Sequence, residues 1–322
     1  MTQTGATTSI NDDYRTYTTA DFAEAFGSTV ADLQTRCRQS LADKDWTYCP
    51  LRGAERDAVI LKVLRRLSED HQVIGAPERQ QVWENGWREQ YEEFRQADGS
   101  LAHLLPRFVR STGVVRLRQE FVRTRALDFE RQYVDVLRDW LFHEYFTTAD
   151  TIYEFGCGTG LNLVRLASLF PQKQLVGSDF VPAARDLVNE IARCHRLRLE
   201  GRLFDMIKPD ESFDVRPGSS VFTSGSIEQL ASQFEAFLQF LLRKRPALCV
   251  HIEPVLEFYD SENLVDHLAI QFHRKRGYTH GLLPRLQEMQ AAGEIEIINS
   301  RRLFFGSLMM EGYNLIVWRP LP

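Results

Sequence analysis

The sequence predicts an α/β protein: a doubly wound, mostly parallel seven-stranded sheet with a C-terminal antiparallel strand, preceded by an α-helical domain. Three observations lead there. From Thr151 onward, short apolar runs alternate with helical segments, which is the rhythm of βαβ units. The stretch TIYEFGCGTG, residues 151–160, ends the first of those runs in an acid and three glycines at alternate positions. Ahead of it, apolar residues recur at helical spacing with charged faces between them.

A chain of 322 residues is long for one domain, so we divide it into a helical cap, 1–146, and a Rossmann-like domain, 147–322. In the first part, 19–44 and 53–70 read as amphipathic helices with polar starts. In QQVWENGWREQYEEFRQ, Trp83, Trp87, Tyr91 and Phe94 line one helix face. That stripe packs on a neighbouring helix or forms a substrate-facing wall. Arg107, Arg110, Arg116, Arg118, Arg123, Arg125, Arg131 and Arg138 are interspersed with acids, the pattern of solvated faces and helix ion pairs, and a long helix is expected at 126–146.

In the second part the expected strands are 151–155, 174–178, 199–204, 219–224 and 247–253. LNLVRLASLF, VPAARDLVNEIARCH and IEQLASQFEAFLQFLLRK supply the helices between them. EIEIINSRRLFF and GYNLIVWRP complete the sheet as two neighbouring apolar runs.

The net charge of -5 and pI near 6.0 give no overall attraction to nucleic acid or anionic lipid, so neither is an expected partner. No window approaches 18 apolar residues, and the N-terminus lacks the apolar core of a signal peptide. Five scattered cysteines without a C-x-x-C pair suit a reducing cytoplasm.

A strand, a bare glycine turn and a helix make a ligand site at the carboxyl ends of such a sheet. The spacing Gly156, Gly158, Gly160 departs from the dinucleotide fingerprint, which needs glycine where Leu161 stands, and no G-K-[ST] follows to make a phosphate loop. Asp179 closes the second strand 19 residues beyond Gly160, with Phe180 beside it, placed to accept from ribose hydroxyls. Asp205 and Met206 follow the third strand, so three acids stand at three successive strand ends.

Read on Glu154 to Gly160, E-x-G-x-G-x-G resembles the first motif of the class I S-adenosylmethionine-dependent methyltransferases, and the resemblance covers about 150–320. It implies S-adenosylmethionine as cofactor, held by Glu154, Gly156, Cys157, Gly158 and Gly160 at its methionine part. It further implies Asp179 and Phe180 at the ribose, Asp205 and Met206 at the adenine, and Ser224 and Gly225 near the sulfonium. Ser226 and Glu228 fall beside them in FTSGSIEQL, which lacks the [DN]-P-P-[YFW] motif of many enzymes that methylate nucleobase amino groups or glutamine amides.

The remaining chemistry is a base. If the acceptor is a hydroxyl or protonated amine, HIEPVLEFYD offers His251, Glu253 and Glu257, the first two on one face of the fifth strand, and Glu228 is a further candidate. Glu253 is preferred, and His251 also reads as a satisfied core histidine. His267, His273 and His280 have spacings that make no clean metal pair, so no metal is expected, and His273-Arg274-Lys275-Arg276 reads as a solvated helix end or a contact for an anionic acceptor. The expected acceptor is a small molecule or sugar unit under the helical cap, methylated in line at oxygen. WLFHEYFTTADTIYEFGCGTG before the loop and FFGSLMMEGYNLIVWRP at the end are together similar to bacterial methyltransferases with a helical N-terminal extension, some of them in sugar or polysaccharide pathways. The rivals are transfer to a macromolecule, a non-catalytic cofactor-binding module and a nicotinamide-dependent oxidoreductase.

Overall fold

The computed structural model describes residues 13–74, 78–106 and 113–322, so Arg107 and Arg110 lie outside the described residues. The first part runs β1(Arg15–Thr16), α1(Thr19–Phe26), α2(Val30–Arg36), α3(Arg38–Leu41), β2(Thr47–Pro50), α4(Gly53–Glu69), α5(Glu78–Gln96), β3(Val114–Leu117), β4(Glu120–Thr124) and α6(Phe129–Tyr145). It is mainly helical, but it also holds four strands that the helical expectation omitted. The expected helix at 19–44 is three. Gly27, at φ 70°, ends α1, and the Thr29 hydroxyl accepts from Asp32 N to start α2.

The second part runs β5(Thr151–Phe155), α7(Leu161–Leu169), β6(Gln174–Asp179), α8(Pro182–His195), β7(Leu199–Leu203), β8(Ser220–Ser224), α9(Glu235–Lys244), β9(Leu248–Glu253), α10(Leu264–Arg276), α11(Leu282–Ala291), β10(Ile295–Arg301), β11(Phe305–Gly306) and β12(Asn314–Pro320). Seven of these strands form one sheet in the order β10-β12-β9-β8-β5-β6-β7. Five are parallel, and β12 enters antiparallel between β9 and β10. Apolar helix faces cover the sheet from both sides: α6, α7 and α8 contribute to one core, α9 and α11 to the other.

The two parts are knit together. A five-stranded sheet, β1-β2-β4-β3-β11, takes its last strand from Phe305–Gly306, well beyond residue 147. The Phe305 ring stacks on Tyr133 at 3.6 Å between centroids. Among the named arginines, Arg118, Arg123, Arg125 and Arg131 make the expected ion pairs, with Asp21, Glu55, Asp45 and Asp128. Arg116 does not: it is fully buried and donates to the carbonyls of Val265 and Leu308.

Candidate active site

The site begins where β5 and β6 end side by side. Glu154 pairs with Gly177 and Phe155 with Ser178, so the turn after Phe155 stands next to Asp179. Gly156 and Cys157 both donate backbone N–H to Ser178 O, at 2.8 and 3.0 Å. The chain then turns through Gly156 at φ 73° and Gly158 at φ 50°, a conformation that costs glycine little. A side chain on Gly156 would strike Ser226, and one on Gly158 would reach 2.9 Å from the Trp87 ring. Gly160 caps α7. The glycines are therefore required by close approach as well as by φ.

Asp179 locks this loop. Its Oδ2 accepts from Gly158 N at 3.0 Å and its Oδ1 from Val181 N at 3.3 Å, while burial pushes its pKa up to about 6 against those hydrogen bonds. Glu154 is 1% exposed. Asn162 Nδ2 donates to its Oε1 at 2.7 Å, and Arg138 Nε holds Asn162 Oδ1 at 2.7 Å, so α6 fixes the amide that fixes the acid. Glu154 Oε2 is buried with no partner among the described residues, and desolvation raises the carboxyl to about 8. Such an atom suits a cationic ligand.

The third acid is at the lip: Asp205 Oδ1 accepts from Ile207 N at 2.8 Å, next to buried Met206. Phe180 is exposed beside Asp179. Cys157 contributes backbone alone, because its sulfur turns inward against the Gly177 position and burial holds the thiol protonated.

The cap closes directly on this loop. Trp83 and Trp87, stacked at 5.4 Å, pack against Val181, Ala183 and Ala184 at the start of α8, and Glu84 Oε2 accepts from Ala183 N at 2.8 Å. Thr159 Oγ1 donates to Leu104 O at 2.7 Å. The aromatic stripe is thus both helix packing and a wall at the glycine loop.

On the other side, after β8, Ser224 and exposed Gly225 lead into a 3-10 turn, Ile227–Leu230. Here the two candidate acids part. Glu253, at the end of β9, accepts from Ser226 N, Ile227 N and Glu228 N at 3.1 to 3.3 Å, so its carboxylate caps that turn; burial lifts it to about 7 while the three donors pull the other way. Glu228 is 8% exposed; its Oε1 accepts from Gln229 Nε2 at 2.8 Å, and its buried Oε2 has no protein partner. Desolvation first, then repulsion from Glu253, raise Glu228 to about 8.

His251 takes no part in the site. It is fully buried, its Nδ1 is 2.8 Å from Thr223 Oγ1, and its Nε2 accepts from Trp318 Nε1 at 2.9 Å. Desolvation lowers it to about 3, so it is a neutral core histidine and no base. His267 and His280 are exposed while His273 is buried, and among the described residues no group of three metal-ligating side chains occurs. Arg276 is bound to Asp70 through Nε and Nη2 at 2.9 and 2.6 Å rather than solvated at a helix end.

The strand order, the antiparallel β12 and the acids at the ends of β5, β6 and beyond β7 meet in one architecture. The fold is the doubly wound, Rossmann-like α/β sheet that the sequence predicts. No family model matches the chain, and a search of curated proteins finds no relative. Solved structures similar to it include geranyl diphosphate C-methyltransferase from Streptomyces coelicolor A3(2), at 14% identity over 77% of this chain and 100% of that one, with TM-score 0.48. The [4+2]-cyclase SpnF matches at 16% identity over 78% of this chain and 100% of its own, TM-score 0.48. A SAM-dependent methyltransferase from Aquifex aeolicus matches at 16% over 56% and 88%, TM-score 0.39. Likenesses at this level say nothing of what this chain binds or turns over.

Proposed function

We propose that the protein is an S-adenosylmethionine-dependent methyltransferase acting on a small molecule or sugar unit, with transfer to oxygen. The observation that carries the reading is the glycine loop flanked by Glu154 and Asp179, with Glu154 Oε2 buried and unpartnered. A pyrophosphate would meet two carboxylates there, whereas a cofactor with an ammonium and a sulfonium brings the charge these acids lack. Glu154 would hold the ammonium end, Asp179 the ribose hydroxyls, and Asp205 with Met206 the adenine. When bound, the cofactor would supply an electrophilic methyl carbon on sulfur.

The protein's own part is positioning and one proton. Trp83 and Trp87 shield the loop from water, and the Leu104 contact pins Thr159 under the cap. Glu253 holds the turn after β8, acting as a positioning residue. That leaves Glu228 Oε2 to receive the proton of an acceptor hydroxyl, which its raised pKa suits. The closed cap favours a small acceptor over a folded macromolecule. Five cysteines, none in a disulfide among the described residues, fit a cytoplasmic setting, and no helix among the described residues is long and apolar enough to cross a membrane.

The test is to incubate the protein with methyl-labelled cofactor and a fractionated cell extract. Label in the small-molecule fraction supports the reading; label on protein, RNA or polysaccharide overturns the choice of acceptor.

A further inference from the structure

Arg79 is out of keeping with its neighbours. Arg88 is paired with Glu84 and Asp186, Arg276 with Asp70, and Arg302 with Asp266 and Glu311. Arg79, near the start of α5, pairs with no carboxylate among the described residues. Its guanidinium lies over the Trp83 ring, 5.2 Å from the centroid. Its Nη2 reaches Gln229 Oε1 only at 3.4 Å, and its Nε is buried with no partner among the described residues. Two other arginines have an orphan buried nitrogen and no acid among the described residues: Arg116 is fully enclosed and beyond reach of a ligand, and Arg301, in β10, lays its guanidinium against Gly27, whereas Arg79 is partly accessible beside Gln229.

The surroundings add to this. Gln229 bridges the two unmet groups: it accepts weakly from Arg79 through Oε1 and donates to Glu228 Oε1 through Nε2 at 2.8 Å. Arg276 and Tyr278 lie close enough to bear on both Arg79 and Glu228, and Arg276 Nη1 is 3.4 Å from the Tyr278 hydroxyl. Asp70, the nearby acid, is already engaged by Arg276. An orphan guanidinium N–H and an orphan carboxyl oxygen thus flank one amide in partly desolvated surroundings. A guanidinium withdrawn from water without a counter-ion is costly, and its fork matches carboxylate or phosphate oxygens.

We propose that Arg79, with Gln229 and Tyr278 beside it, is an anion-recognition subsite for the methyl acceptor, which therefore carries a carboxylate or phosphate near the group that faces Glu228. This rests on the methyltransferase reading of the same site. The anion would meet Arg79 Nε and Nη2 while a hydroxyl or amine of the same molecule meets Glu228 Oε2. The subsite is a specificity determinant: a neutral analogue leaves the guanidinium unpaired.

The experiment titrates purified full-length protein with inorganic phosphate and, separately, with acetate, reading tryptophan emission, because an anion on Arg79 alters the face of Trp83. A Trp83→Phe variant identifies the signal. Saturation by one of the two anions, weakened at least about tenfold in Arg79→Gln and less in Arg79→Lys, is the expected result, and the better anion indicates the acceptor's group. No saturable response to either up to about 50 mM, or equal binding in Arg79→Gln with an unchanged melting temperature, overturns the subsite. S-adenosylhomocysteine titrated into the wild-type protein separates the two readings. Cofactor binding with no anion response sinks only the subsite, and absent cofactor binding sinks the methyltransferase reading whatever the anions do.

Discussion

The proposed cofactor half and the proposed acceptor half of the site are built in opposite ways. Around the glycine loop, the hydrogen bonds run between neighbouring strand ends: Gly156 and Cys157 to Ser178, Gly158 to Asp179. Across the turn after β8, the groups come from three distant stretches, Arg79 from α5, Glu228 and Gln229 from the turn, Arg276 and Tyr278 from the end of α10 and beyond. The first half is a preformed shell set by the sheet. The second is assembled by tertiary packing and left with unmet donors and acceptors, which is what a site that must choose among substrates requires.

Substitutions can break this contrast. The largest expected effect is Glu228→Gln, which should cut label transfer by about a thousandfold, in the range for loss of a general base, while cofactor affinity stays within about twofold. Transfer at the wild-type rate would remove Glu228 from the chemistry. Next, Asp179→Ala takes away the ribose acceptor and the Gly158 anchor together, and should weaken cofactor binding about a hundredfold, or ~2.7 kcal/mol by calorimetry. An unchanged affinity would make Asp179 a structural anchor of the loop alone.

Glu253→Gln sharpens the division between the two acids of the acceptor half. An amide in place of the carboxylate turns an NH2 toward backbone N–H donors, so a loss of about 2 kcal/mol in denaturant unfolding is expected. If turnover collapsed with stability intact, Glu253 would be the base after all.

The smallest effect is in pH. Glu154 sits at about 8 in the free protein, so at neutral pH it is mostly protonated; a cationic ligand favours the ionised form and expels that proton. Affinity for S-adenosylmethionine should therefore rise by about fivefold from pH 7 to pH 8, with proton release seen as a buffer-dependent heat. The same raised value means that ionisation opposes folding: Glu154's contribution to stability is present below the unfolded-state carboxyl range and fades as pH climbs through about 8. A flat affinity profile would place the ammonium elsewhere.

The contrast also explains what could be read in advance. The strand at 151–155 agrees with Thr151–Phe155, because a parallel strand buried on both faces writes a continuous apolar run with glycine at its end. Glu154, Asp179 and Asp205 were legible for the same reason: each stands at or just past a strand end. The small sheet was not. Its strands TYCP, VVRL and EFVRT are four or five residues long, and Arg116 and Arg123 interrupt their apolar pattern. The break in 19–44 was written in Gly27-Ser28-Thr29, a helix stop followed by a helix start. Register, which periodicity does not give, bears on the choice between Glu253 and Glu228. Ser224 pairs with Ile252, which sets Glu253 under the three free N–H groups of the following turn. Arg79 carried no local signal, since its meaning depends on Gln229, 150 positions away.

The measurement closest to the central claim is a calorimetric titration of S-adenosylmethionine and S-adenosylhomocysteine into the wild-type protein and Asp179→Ala, with NADH as the comparison. Saturable binding of both methionine cofactors at one site per chain, weakened in the variant, and no binding of NADH are expected. Binding of NADH in preference, or no heat from any of the three, would contradict that claim.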